Sequence, residues 1–169
     1  MATDTQQVSI LTSPIAGDAR SQSAGLVPIE LLNGVSEEGC QIDSDDPNLT
    51  NVIRRHYLDH FGHRDLEKIV ADYADDAVVY KIANGNKQRF QGHREIRAAF
   101  EGIFALHPAG SSKFRLKHVV VSNRVGIAVW DAETPTSVFP HSSDTFVFDE
   151  GGNKIKTQYL TCSINQLEK

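Results

Sequence analysis

The first 47 residues contain a single basic side chain, Arg20, and no aromatic residue, and no lysine occurs before residue 54. A segment this poor in basic residues makes a poor transit peptide. It also lacks the basic start and following apolar block of a secretory signal, so neither is expected. Cysteine is scarce as well. Cys40 and Cys162 are the only two, too few for a disulfide framework, and a reducing, cytoplasmic compartment is the expectation. No run approaches the ~18 apolar residues that a membrane helix requires. No basic patch interleaved with aromatics is present, so neither membrane nor nucleic acid is an expected partner. A glycine-rich phosphate loop and a Gly-x-Ser-x-Gly elbow are both missing, which excludes nucleotide hydrolysis and α/β-hydrolase chemistry. His56 and His60 stand at zinc-ligand spacing on a helix, with His63 one turn on. The metalloprotease motif needs a glutamate directly after its first histidine, and here that residue is Tyr57. No cysteine, aspartate or glutamate cluster completes a tetrahedral set, so no metal and no cofactor is expected.

What is there divides unevenly. Residues 1–47 carry eight acidic side chains against one basic, a net of −7, and residues 48–169 carry 14 against 16, a net of +2. An acidic, aromatic-free segment cannot bury enough apolar surface to offset its ordering entropy, so residues 1–47 are expected to be a disordered tail. Leu26–Leu32 is its one apolar island. Residues 48–169 are long enough for one domain with its own core.

Within that domain, Asp46-Pro47 reads as an N-cap followed by proline at the first helical position. Leu49, Val52, Ile53, Tyr57, His60 and Phe61 recur at helical spacing as far as Gly62. A short helix follows from about Asp65, with Leu66, Ile69, Val70 and Tyr73 on its apolar side, and then a strand over Ala77–Ile82. Asn84-Gly85 is a hairpin turn into 87–91. A third helix runs from His93 to Leu106, its stripe formed by Ile96, Ala99, Phe100, Ile103 and Phe104, and Pro108 and Gly110 stop it. Strand patterns over 113–122, 125–133, 140–149 and 154–164 complete the chain, the last two joined at Gly151-Gly152. Helices gathered early and a meander of strands afterwards indicate an α+β domain with helices packed on one face of a sheet.

The closing hairpin poses the functional question. Asp144 shares a strand face with Phe146 and Phe148, because alternate residues point the same way. It is an acid inside an apolar pocket, a partner of Lys81, or a residue at the rim. Gln158 shares a face with Leu160 and Cys162, and His118 alternates with Phe114, Leu116 and Val120. Lys81 on its strand is a candidate lysine base or Schiff-base nucleophile, or else a solvated or ion-paired side chain.

The blocks Tyr73-Ala74-Asp75-Asp76-Ala77-Val78, Phe90-Gln91-Gly92-His93 with Ile96, and Phe148-Asp149-Glu150 with Gly152 resemble the ketosteroid isomerase branch of the nuclear-transport-factor-2-like superfamily and its SnoaL-like polyketide cyclases. The resemblance spans about residues 48–164. It implies a cone, in which a curved antiparallel sheet wraps three helices around a deep apolar pocket that takes a hydrophobic small molecule. In the isomerases a helical tyrosine and a protonated late-strand aspartate form an oxyanion hole, a worked case of a carboxyl kept neutral by apolar surroundings. Those positions match Tyr57 and Asp144, while the base position matches Lys81. The resemblance thus implies Asp144 and Tyr57 as an oxyanion-hole pair, while the isomerases' base aspartate is absent and Lys81 stands in its place as the third catalytic candidate. Gln158, His118, Phe146, Trp130, Phe100, Phe104 and Tyr73 would contact substrate. Acid–base chemistry (isomerisation, cyclisation or dehydration) and a non-catalytic binding or dimerisation module both stay open, because the fold hosts both. A homodimer is expected through the outer sheet face, with Val119 and Val121 exposed there.

Overall fold

A computed structural model of the chain describes residues 34–168. The apolar island Leu26–Leu32 lies outside the described residues. The chain opens with two short strands, β1 (Val35–Ser36) and β2 (Gln41–Ser44). Helix α1 (Pro47–Arg55) follows and runs on into a π-helical turn, His56–Phe61. Next come α2 (Leu66–Ala71), β3 (Tyr73–Ala83), β4 (Asn86–Gln91) and α3 (Gly92–Leu106). The long strands β5 (Lys113–Ser122), β6 (Val125–Glu133), β7 (Ser137–Phe148) and β8 (Ile155–Cys162) precede a short β9 (Asn165–Gln166).

The local devices are those the residues call for. The Asp46 carboxylate accepts hydrogen bonds from the Asn48 and Leu49 amides at 3.0 and 3.1 Å, capping α1 ahead of Pro47. Asn84 and Gly85 both take positive φ, 47° and 80°, the conformation of a tight hairpin turn. Asn123 and Arg124 do the same between β5 and β6. Gly126 on β6 permits a close approach, since a Cβ there would lie 2.3 Å from the Ile53 side chain of α1.

The strands form one sheet in the order β1-β5-β6-β7-β8-β3-β4, with β2 also on β5 and β9 on β7. It is mixed rather than antiparallel throughout: β3 runs parallel to β8, and β1 and β2 run parallel to β5. Register shifts between Leu116 and His118, Trp130 and Ala132, Tyr73 and Val78, and Val147 and Phe148 are the irregularities that bend strands. The helices pack on the inner face. Leu49, Ile53, Ile69 and Ile96 meet Leu116, Phe146 and Ile155 there, all of them fully buried.

Two expectations need correcting. Residues 35–44 belong to the fold, so the domain starts well before residue 48. β2 pairs with His118–Val121 of β5, and Glu37 grips Arg54 of α1 through two hydrogen bonds of 2.8 and 2.5 Å. Composition misses this because adding a strand to an open edge satisfies backbone groups and needs little apolar surface. The second correction is to β5. The irregularity at Leu116/His118 reverses the faces after it, burying Val119 and Val121 and exposing His118 and Val120. A one-residue slip moves every later side chain to the other face.

A chain beginning at Asn48 should therefore melt lower than one beginning at Gly34. It loses the α1 cap, worth about 1 kcal/mol, together with the edge pairing over Val119 and Val121. A fall of at least about 4 °C is expected in thermal unfolding, and equal melting temperatures would show that β1 and β2 contribute nothing.

Candidate functional site

The inner face of β6–β7–β8 and the end of α1 converge on one carboxylate. Asp144 is 2 % exposed. Its Oδ2 accepts hydrogen bonds from the Tyr57 hydroxyl at 2.5 Å and from the Trp130 indole N–H at 2.7 Å. Its Oδ1 accepts one from the Gln158 amide at 2.6 Å. Gln158 is oriented in turn by the Tyr73 hydroxyl, which donates to its Oε1. The register explains the convergence. Asp144 pairs with Ala128 of β6 and Leu160 of β8, so Trp130 and Gln158 are diagonal neighbours on the same face.

Burial pushes the Asp144 carboxyl above the ordinary aspartate value, opposed by the hydrogen bonds from Tyr57, Gln158 and Trp130 and by His56 nearby. Burial likewise raises the Tyr57 and Tyr73 phenols well above their usual range, reinforced by the charge of Asp144. Both phenols therefore stay protonated and act as donors.

Above this cluster lies an apolar cavity of about 40 Å³, bordered by Tyr57, Phe100, Trp130, Phe139, Leu160 and Cys162, with Asp144 and Gln158 in its wall. It is a tight space, so a ligand larger than a few atoms has to displace side chains such as the half-exposed Leu106 beside it. Lys81 also borders the cavity, on the inner face beside Leu160. Among the described residues it makes no ion pair within 4.0 Å, with Asp144 or any other carboxylate. The two charges are kept apart.

The expected contact residues divide. Trp130, Phe100 and Gln158 border the cavity. Tyr73 sits behind Gln158 and acts through it. Phe146 is completely buried beneath the site, packed edge-on against Tyr57 at 6.1 Å and His56 at 5.9 Å. Phe104 lies away from the cavity under the Arg64 guanidinium, 4.9 Å above its ring. His118 is on the outer face and takes no part, for the reason given for β5.

A second buried cluster, centred on Asp72, adjoins the first. Asp72 Oδ2 is 2.9 Å from His56 Nδ1 and 2.7 Å from His60 Nδ1, while Oδ1 accepts from Arg55 at 3.1 Å. Burial opposes ionisation of Asp72, yet hydrogen bonding and attraction from His56 and His60 outweigh it and hold the carboxyl below its ordinary value. The two histidines that stand at zinc spacing are thus turned to a carboxylate, and among the described residues no group of three or more histidine, cysteine, aspartate or glutamate side chains is arranged to hold a metal ion. Sequence reading left His56 off the buried stripe of α1. Here it is 1 % exposed and borders the cavity, because the π turn brings adjacent His56 and Tyr57 both inward. A histidine directly before the matched tyrosine was the only signal available.

The two aspartates titrate with opposite consequences for stability. Asp144, raised in the fold, makes stability fall as pH rises from the ordinary aspartate value through its folded one. Asp72, lowered in the fold, contributes stability above the ordinary value that is lost as pH falls through its folded one. In urea unfolding across a pH series, the cost of Asp144→Asn should be greatest in acid and shrink as pH rises, whereas the cost of Asp72→Asn should grow. Parallel pH profiles for the two variants would contradict these assignments.

A family model described as SnoaL-like domain matches residues 53–156. No curated protein matches the chain. Among solved structures, a nuclear-transport-factor-2-like protein of unknown function from Mesorhizobium loti superposes with a TM-score of 0.57 at 14 % identity, covering 72 % of this chain and 98 % of that one. A proposed SnoaL-like polyketide cyclase from Shewanella denitrificans gives 0.54 at 14 % identity, covering 69 % and 91 %. A proposed ketosteroid isomerase from Kribbella flavida gives 0.54 at 12 %, covering 74 % and 83 %. At these identities the likeness carries the fold. Among the described residues, no helix is long and apolar enough to cross a membrane.

Proposed function

Starting from the chain's membership of the SnoaL-like domain family, we propose that it is a small-molecule enzyme whose Asp144–Tyr57 pair handles a proton at an oxygen of an apolar substrate. The observation that carries this reading is the buried Asp144 carboxylate in the wall of an apolar cavity, held by three donors. Burying a carboxylate costs several kcal/mol, and an apolar residue of similar size would serve a mere core as well. A perturbed acid in a cleft is what proton-transfer chemistry requires.

The geometry suggests a relay. When Asp144 is ionised, Tyr57 donates to it. When Asp144 takes up a proton at Oδ2, it donates to the phenol oxygen, and the phenol proton is free to turn towards a ligand oxygen. Charge developing on a substrate carbonyl would then meet a donor in a site that excludes water. Isomerisation, cyclisation and dehydration all pass through such a charge. Lys81, at the border of the cavity, acts neither as acid nor as base in this reading.

4-Nitrophenol, a small enol mimic, tests the site through quenching of Trp130, the single tryptophan. Tyr57→Phe should weaken binding about tenfold, or ~1.4 kcal/mol. Asp144→Asn should stay within a few-fold, and Asp144→Leu should lose binding. Lys81→Met should remain within about threefold, ~0.7 kcal/mol. Unchanged affinity in both Tyr57→Phe and Asp144→Leu would reduce the cavity to a plain apolar binding site.

The homodimer also belongs to this reading, with its face reassigned. Val120, Ile127 and Val125 are 42 %, 39 % and 37 % exposed on the outer face of β5 and β6. Tyr159 is exposed on β8 and stacked on Tyr80 at 5.2 Å. A contiguous apolar face of this kind is suited to an isologous contact. Sedimentation should give a dimer at micromolar concentration that Ile127→Asp dissociates. A wild-type monomer would overturn the proposal.

A further inference from the structure

The reading above lacks a base, and the geometry points to His56, positioned by Asp72, as the group that abstracts a proton from a small apolar carbonyl compound bound against Tyr57 and Asp144. This assignment rests on the proposed role of that pair and adds the other half of the reaction.

An ionised carboxylate can only accept hydrogen bonds, so His56 Nδ1, 2.9 Å from Asp72 Oδ2, must carry a proton. In its neutral form the ring presents Nε2 as an acceptor, and Nε2 has no hydrogen-bond partner among the described residues. The ring packs in edge contacts with Tyr57, Tyr73, Phe100 and Phe146, with centroids 5.5 to 5.9 Å away. The ionisable and charged groups around it are Asp72, His60 and Arg55 on the Nδ1 side, Asp144, and the phenols of Tyr57 and Tyr73. Of the two histidines on Asp72, only His56 borders the cavity. His60 makes the same tie to Asp72, at 2.7 Å, without bordering the cavity.

The step balances without an external reagent. The α C–H bond breaks, its proton passes to Nε2, and the electron pair moves onto the carbonyl oxygen, which takes a hydrogen bond or proton from the Tyr57–Asp144 relay. Asp72 offsets the charge of the imidazolium until Nε2 returns the proton to the same or another carbon. The substrate class that follows is a compact, uncharged ketone or enone with an acidic C–H beside the carbonyl.

Exchange of the α-hydrogens of cyclohexanone in D₂O, followed by proton NMR with the full chain, reads this step directly. The wild type should accelerate exchange, and His56→Gln should reduce it at least 100-fold, the usual size of a general-base effect, while binding 4-nitrophenol within threefold of the wild type. Asp72→Asn should lower the rate about tenfold and displace the acid limb of its pH profile, which a purely structural tie would not do. Should His56→Gln fail to fold, ¹⁵N spectra of the wild type decide: the Nδ1–H tautomer supports the assignment and the Nε2–H tautomer overturns it. Wild-type exchange no faster than buffer, or exchange undiminished in a folded His56→Gln, overturns it too. Either result leaves the Asp144–Tyr57 reading standing if 4-nitrophenol binding still depends on those two residues. If it does not, that underlying reading fails.

Discussion

The hydrogen bonds to Asp144 are the constraint on which the rest of the inner face depends. Taking a carboxylate out of water costs several kcal/mol, and hydrogen bonds to a charged group each return about 1.5–3 kcal/mol. Three of them offset part of the burial, which still keeps the carboxyl above its ordinary value, and any one missing deepens the deficit. The three donors come from three elements: the π turn after α1, β6 and β8. The sheet register and the docking of α1 must therefore both be right before the carboxylate can be buried. Asp72 imposes a similar demand on the other side, linking α1 through Arg55, His56 and His60 to the residue that precedes β3.

These two carboxylates are held in opposite ways. Asp144 lies among apolar rings and amide or indole donors, so desolvation dominates and its proton is held more firmly. Asp72 lies among imidazoles and a guanidinium, so its charge is retained. Two acids are thus pushed in opposite directions within one core, the asymmetry that the proposed acid–base chemistry would use. The mixed sheet contributes as well. The parallel pairing of β3 with β8 places Lys81 beside Leu160, on the inner face yet away from Asp144.

Much of this was legible from the residues. The alternation put Asp144 on one face with Phe146 and Phe148 and left burial or the rim open; all three are buried. The hairpin turn at Asn84-Gly85 carries the positive φ that asparagine and glycine favour. Tyr57 was placed by resemblance, and Gln158 by the face it shares with Leu160. The errors have local causes. His118 was assigned inward because strict alternation was carried through an irregularity that sequence does not announce. Residues 35–44 looked like tail because an edge strand is stabilised largely by its backbone. His56 was passed over because an α-helical stripe leaves no room for two adjacent inward residues. Asp72 carried no signal at all, since its partners lie 12 to 17 positions upstream.

The π turn at His56–Phe61 bears on how this chain is compared with others. Such a turn is a helix carrying one residue more than its length requires, and its hydrogen bonds span five positions instead of four, as from Gly62 to Tyr57. Upstream of it, α1 keeps the phase of an ordinary helix. Beyond it, every position is rotated relative to a relative whose helix lacks the extra residue. Counting across the turn then misassigns roles by one place. Counting back from Tyr73–Val78 reaches Tyr57, and the side-chain geometry shows that its neighbour His56 borders the cavity as well.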